Sequence, residues 1–181
     1  MMNRQRRAII ASALGSALLP SRLRAQVQSL VAPNVVVISA QLVTSGQPSA
    51  GALAQLASQG FGAVIYLAPP SVSDAVRDEA AILERQGVAY VNIPIPFNQP
   101  TEAHFESFTA ARTHFVDRKL LVHCQVNMRA SSMVFLQRVI IEREPAEVCY
   151  ESVARVWSPS GPWKSLIVAL LRRHGIAFEP Y

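Results

Sequence analysis

Three apolar runs of strand length alternate with helical patterns along the middle of the chain. The runs are GAVIYL at 62–67, AYVNIPI at 89–95 and KLLVH at 119–123. Continuous apolar strands separated by helices are typical of parallel βαβ units, in which helices cover both faces of one sheet. We therefore predict an α/β fold with a mostly parallel central sheet, helices on both faces and a helical C-terminal flank.

Capping and turn residues bound the predicted elements. The segment 33–48 is rich in β-branched residues and predicts one or two short strands. Ser49 is placed to cap a short helix, Gly87 to end a helix and Thr101 to cap another. Longer helices are predicted over 74–86, 102–115, 130–144, 145–157 and 163–174.

The length and charge of the chain favour one domain with no nucleic-acid partner. The chain has 181 residues, of which 50% are hydrophobic, enough for a substantial core. Its formal charge of +5 comes from the N-terminus, because residues 1–25 contain five arginines and no acidic residue. The remaining 26–181 carries 12 basic and 12 acidic side chains and is predicted to form the single mature domain.

Residues 1–25 have the order of a secretory signal peptide. A basic MMNRQRR precedes the apolar AIIASALGSALLP, and SRLRA ends on a small residue before Gln26. The apolar run is shorter than the ~20 residues of a membrane-spanning helix. Arg6 and Arg7 resemble a twin-arginine signal, with general secretion as the alternative route. We expect export, to the periplasm in a Gram-negative cell, without a stable membrane span.

The stretch LVHCQVNMRASS at 121–132 indicates an anion site. Cys124 follows a predicted strand, and ligands bind at the carboxyl ends of parallel strands. The loop Gln125–Met128 leads to a helix predicted to begin near Ala130, whose amides and dipole favour an anion and a thiolate. Arg129 adds a planar fork suited to a phosphate-like group.

These residues resemble the signature loop of the cysteine-dependent protein phosphatases, which reads His-Cys, five residues, Arg, then Ser or Thr. More specifically, the order of SGQPS, GAVIYLAPP, AYVNIPI, PTEAHFESF and HCQVNMRAS is similar to a bacterial group of small tyrosine-phosphatase-like proteins. That group is akin to the phosphatase-like domain of beta-lactamase-hydrolase-like proteins. The resemblance spans roughly residues 34–163.

The resemblance implies covalent catalysis with electrostatic stabilisation. Cys124 would attack phosphorus and form a cysteinyl phosphate, while Arg129 holds the phosphoryl oxygens. Ser131 would hydrogen-bond the departing thiolate, and His123 would order the loop from behind. No metal or cofactor is implied, and the partner is a phosphorylated substrate or an oxyanion ligand. The implied phosphate-binding loop consists of Gln125, Val126, Asn127, Met128 and Arg129.

The chain departs from this family pattern within the loop itself. Arg129 stands five positions after Cys124, whereas the pattern places an arginine six positions after the cysteine, where Ala130 lies. Asn127 replaces the third-position glycine of the family loop. Asparagine is a substitution able to keep a left-handed backbone.

The general acid is a further departure. The segment PIPFNQP at 94–100 matches the loop that carries the acidic aspartate in related enzymes, and it contains no carboxylate. Glu102, Asp78 and Glu79 are candidate replacements, although the last two are more typical of solvated helix residues. A phenol, with a pKa of about 10, leaves more readily without an acid than an alkyl alcohol does. We therefore expect aryl phosphates to be the favoured substrates.

The sequence leaves two alternative functions open, together with the pairing of Cys149 and the identity of the substrate. A rhodanese-like sulfurtransferase also places a cysteine between a strand and a helix, often with the shorter Cys-x4-Arg spacing. A catalytically inactive pseudophosphatase would bind an oxyanion through the loop and Arg129.

Cys149 lies in a helical pattern and is interpreted as a buried inert thiol, while a disulfide with Cys124 stays open. The substrate could be a phosphotyrosine protein, a small phosphate ester or a lipid phosphate.

Overall fold

A computed structural model describes residues 30–181, so the predicted signal peptide lies outside the described residues. The strands are β1 (Val36–Ser39), β2 (Leu42–Ser45), β3 (Ala63–Tyr66), β4 (Ala89–Asn92) and β5 (Leu120–His123). The helices are α1 (Ala50–Leu53), α2 (Glu79–Glu84), α3 (Glu102–His114), α4 (Met128–Ile140), α5 (Ala146–Ala154) and α6 (Gly161–Arg173).

The five strands form one sheet in the order β1-β2-β5-β3-β4. The β1–β2 pair is antiparallel, and every other pair in the sheet is parallel. Strand β5 lies at the centre, where Leu121 is in register with Val43 on one side and Val64 on the other. The prediction of a mostly parallel sheet is confirmed, and 33–48 supplies the two strands of the antiparallel edge.

Helices cover both faces of the sheet, as the alternation of strands and helices predicted. On one face, Leu53 and Leu83 of α1 and α2 pack with Val43, Val64 and Leu121. Helices α3 to α6 pack on the opposite face. The buried aromatic side chains on that face include Phe105, Phe108, Phe115, Phe135, Tyr150 and Trp163.

The predicted caps explain where several helices begin and end. Thr101 and His104 form a capping box: each side chain accepts a hydrogen bond from the other's backbone N–H, at 3.3 and 3.1 Å. The Ser49 hydroxyl accepts from the backbone N–H of Ala52 at the start of α1. Gly87 has a φ of 71° and follows α2, as expected of a left-handed stop.

Several predicted helix boundaries were wrong. Only 79–84 of the pattern over 74–86 forms a helix, and turns occupy the residues before it. Helix α4 begins at Met128, two residues before the predicted Ala130, because the left-handed Asn127 closes the loop early. It ends at Ile140, before the left-handed Arg143. Within 30–181, no helix is long and apolar enough to cross a bilayer.

Candidate functional site

Cys124 lies directly after the central strand β5, at the base of a short loop. Its backbone N–H donates to the carbonyl of Ser45 at 3.3 Å, and its side chain is fully buried. Residues 125–127 are the whole connection to α4. The loop is therefore shorter than predicted, and Met128 and Arg129 belong to the first turn of the helix.

Asn127 sets the geometry of this connection. Its φ of 72° is left-handed, a conformation that asparagine was expected from the sequence to be able to adopt here. The side-chain Nδ2 donates to the carbonyl of Asn34 at 2.6 Å and to Thr44 Oγ1 at 3.0 Å. Because the Asn127 side chain makes no capping hydrogen bond to the helix, it leaves the first-turn amides of α4 open to an anion.

The segment after β2 braces the loop through its backbone. The backbone N–H of Gln47 donates to the carbonyl of Gln125 at 2.9 Å, and Gly46 forms a β-bridge with Val126. A Cβ atom at Gly46 would lie 2.7 Å from the Gln125 carbonyl oxygen and 2.8 Å from Pro33 Cβ. The glycine of SGQPS is thus required by close packing against the loop.

A buried polar cluster lies behind the loop, on the α1 and α2 side of the sheet. His123 Nε2 is 2.6 Å from Glu79 Oε1, and Gln47 Nε2 donates to Glu79 Oε2 at 3.0 Å. The Tyr66 ring stacks on His123 with centroids 4.7 Å apart. Burial, reinforced by the carboxylates of Glu79 and Asp74, raises the pKa of the Tyr66 phenol. His123 therefore contacts α2 and the end of β3 from behind the loop.

This cluster corrects one interpretation of the sequence. Glu79 is only 3% exposed, whereas the helical pattern indicated a solvated residue. Its carboxylate accepts from His123 and Gln47, whose side chains come from separate strand ends, and these partners make its burial tolerable. Asp78 is exposed as predicted, and its side chain does not cap α2.

Arg129 connects the loop with 94–100, the segment that matches the acid loop of the family. Its Nε donates to the carbonyl of Ile95 at 2.9 Å, and Nη1 donates to Gln125 Oε1 at 3.4 Å. The guanidinium lies 5.0 Å from the centre of the Phe97 ring. Arg129 Nη2 makes no hydrogen bond to the residues that the structure describes, so its N–H groups are available to a ligand.

The other residues singled out in the sequence contact groups outside the loop 125–127. The hydroxyl of Ser131 donates to the carbonyl of Met128 at 3.2 Å, within its own helix. Glu102 forms an ion pair with Arg173 of α6. Burial raises the pKa of Cys149 to about 11, as expected for an inert thiol, and both cysteines are free.

One residue near the loop was missed by the sequence reasoning. Asp74, in the connection between β3 and α2, accepts a hydrogen bond from Gln125 Nε2 at 2.8 Å. Strands β3 and β5 are parallel neighbours, so the segments that follow them meet at one edge of the sheet. That adjacency could have indicated that Asp74 lies near Gln125. The prediction of a helix over 74–86, however, placed Asp74 in a helix and not in the segment between β3 and α2.

Comparison with known proteins supports a phosphatase-like class. The structure superposes on a DUF442 protein from Shewanella putrefaciens CN-32, provisionally described as a phosphatase, with a TM-score of 0.73 and 26% identity. That match covers 79% of this chain and 94% of the other. Tk-PTP in its active form gives a TM-score of 0.62 at 20% identity, over 78% of this chain and 96% of the other, and supports the fold alone.

A curated relative agrees with the resemblance seen in the sequence. The beta-lactamase hydrolase-like protein of Xylella fastidiosa strain Temecula1 is 31% identical over 112 residues, 59% of this chain. The match covers 25% of that protein, so the chain spans about a quarter of its curated relative. No family model matches the chain. The fold is thus tyrosine-phosphatase-like, as predicted, and similar to that of DUF442 proteins.

We predict that Gly46→Ala destabilises the loop. The added methyl group would overlap the Gln125 carbonyl and Pro33, which should lower the free energy of unfolding by about 1–3 kcal/mol. Gly51→Ala is the matched control, because its Cβ would meet only Ser49 Oγ at 3.9 Å and alanine favours the helix. Urea unfolding measures both, and equal midpoints for the two variants would contradict the prediction.

We predict that Glu79→Ala is strongly destabilising although the residue lies on a helix of the surface layer. The change leaves buried donors of His123 and Gln47 without their carboxylate, at a cost of roughly 2–4 kcal/mol. Glu84→Ala in the same helix removes an exposed carboxylate and should stay within about 0.5 kcal/mol of the wild type. Thermal and urea unfolding compare the pair, and a similar small loss for both would show that the cluster contributes little.

Proposed function

We propose that this chain is a cysteine-dependent hydrolase of phosphate monoesters. The observation that carries the proposal is the junction of β5 and α4. There, a cysteine, a three-residue loop, uncapped helix amides and an arginine coincide. Amides and positive charge held in place before the reaction stabilise the charge of a transferring phosphoryl group. The similarity to a DUF442 protein over most of the chain supports the same class.

In the proposed reaction, the Cys124 thiolate attacks phosphorus and the bond to the leaving oxygen breaks. Water then hydrolyses the cysteinyl phosphate and releases inorganic phosphate and the thiolate. The amides that begin α4 and Arg129 Nη2 would hold the phosphoryl oxygens. Aryl esters should react fastest, because a phenol is a better leaving group than an alkyl alcohol.

The test is turnover of phenyl phosphate by the mature chain, residues 26–181. We expect slow release of phosphate that is lost in Cys124→Ser. Arg129→Ala should lower kcat/KM by about 10²–10³-fold, because it removes a charged donor from the transferring group. Arg155→Ala removes an exposed arginine from the end of α5 and serves as the charge-matched control. Turnover that survives Cys124→Ser would exclude the mechanism.

A second candidate is oxyanion binding without turnover. It is favoured by the complete burial of Cys124 and by the hydrogen bond that directs Arg129 Nε to Ile95. Saturable binding of inorganic phosphate or vanadate that weakens in Arg129→Ala, without hydrolysis, would select this candidate. Cys124-dependent formation of thiocyanate from thiosulfate and cyanide would instead select the sulfurtransferase.

We also propose that the protein is exported by way of residues 1–25. The proposal is supported by the order of the basic, apolar and small-residue parts of this segment and by the twin arginines. Expression of the full chain in a Gram-negative host should yield a periplasmic protein that begins at or near Gln26. Intact-mass spectrometry of the periplasmic and cytoplasmic fractions measures this. Accumulation of the intact chain from Met1 in the cytoplasm would contradict export.

A further inference from the structure

We infer that Asp74 is the proton donor and acceptor of this site, in place of the carboxylate that 94–100 lacks. The inference rests on the proposed phosphatase function and names a catalytic residue for it. The family pattern does not indicate Asp74. This residue follows β3, whereas the segment that matches the acid loop of related enzymes, 94–100, follows β4.

The position of Asp74 places a carboxylate beside the loop. Tyr66 and His123, the last residues of β3 and β5, are directly in register, so the segments that follow them are neighbours. Asp74 Oδ1 accepts from Gln125 Nε2 at 2.8 Å, while Gln125 Oε1 accepts from Arg129 Nη1 at 3.4 Å. One loop side chain thus connects the carboxylate to the guanidinium that would hold the phosphoryl group.

The other carboxylates considered for this role are engaged elsewhere or do not contact the loop. Glu79 accepts from His123 and Gln47 behind the loop, and it is buried. Glu102 is paired with Arg173. Asp78 is exposed, without a capping bond to α2. Within 30–181, Asp74 is the carboxylate that hydrogen-bonds a side chain of the loop 125–127.

Because the Asp74 side chain is exposed, it can exchange a proton with the leaving group in the first step and with water in the second. The leaving oxygen of a bound ester points away from Cys124 and toward solvent, because attack and departure lie in line. When the P–O bond breaks, protonated Asp74 gives its proton to that oxygen and becomes a carboxylate. In the second half, the carboxylate takes a proton from the attacking water as the S–P bond breaks, and the acid is restored.

Asp74→Asn tests the proton transfer with little change of shape. The asparagine Oδ1 can still accept from Gln125 Nε2, so a residue that only orients the loop would be replaced almost without loss. A proton donor would be lost. The measured quantity is kcat/KM for a series of aryl phosphates whose phenols span a range of acidity, together with an alkyl phosphate.

We expect the effect of Asp74→Asn to grow as the leaving group becomes more basic. Phenyl and alkyl phosphates should lose about 10²-fold or more, whereas an ester of a strongly acidic phenol should lose less than about fivefold. Asp74→Glu should recover part of the rate for the basic leaving groups. Asp117→Asn makes the same chemical change at an exposed aspartate just before β5, at the opposite end of that strand from Cys124, and should match the wild type throughout.

The outcomes separate this inference from the proposed function. Cys124-dependent turnover with a wild-type leaving-group dependence in Asp74→Asn overturns the inference and leaves the phosphatase function intact. An equal loss for all leaving groups also overturns it, because that pattern identifies a positioning residue. Wild-type protein that hydrolyses none of the esters overturns both.

Discussion

The backbone contact between the segment after β2 and the loop after β5 is the constraint on which the site depends. Gln47 donates its backbone N–H to Gln125, and Gly46 approaches the same carbonyl so closely that no side chain fits. The partners are almost 80 residues apart in the chain, but β2 and β5 are parallel neighbours, so their ends meet. Loop geometry is therefore fixed by the sheet order.

The polar cluster extends this constraint to the helical layer. Glu79 accepts hydrogen bonds from His123 and Gln47, so one carboxylate of α2 connects the ends of β2 and β5. A buried charge is costly unless it is paired, so removal of either partner of Glu79 destabilises the folded protein. The cluster should consequently favour one arrangement of the strand ends over alternatives in which the loop is displaced.

The sequence was sufficient for the fold because its signals are local and agree with one another. Apolar strands, the Thr101 cap and the Gly87 stop all predict elements that the structure contains. Cys124 and Arg129 could likewise be placed at one site, because they are close in sequence and lie on either side of the loop. The left-handed Asn127 was also predictable from its residue type.

The remaining features depend on contacts between distant segments. An acidic residue in a helical pattern is usually solvated, and nothing near Glu79 in the sequence indicates its partners His123 and Gln47. The importance of Asp74 similarly depends on β3 lying next to β5, and on 74–78 forming turns in place of the predicted helix. Single-sequence patterns do not determine such pairings.

The shortened loop and the missing acid can be understood as one rearrangement. Because α4 begins at Met128, Arg129 lies in its first turn, and its guanidinium reaches Ile95 and Phe97. The segment 94–100 is itself held by Trp163, whose Nε1 donates to the Phe97 carbonyl at 2.8 Å. This segment therefore anchors the arginine.

A segment fixed in this way has less freedom to carry a proton donor toward a substrate. The segment between β3 and α2, which follows the strand that lies between β5 and β4, instead brings a carboxylate to the loop through Gln125. In the proposed mechanism, the segment after β3 replaces the acid loop of the family pattern as the source of the proton donor. Residues 94–100 position the cation, and Asp74 moves the proton. In that mechanism, the Cys-x4-Arg spacing is compatible with catalysis, because 94–100 holds the arginine and the acid comes from the segment after β3.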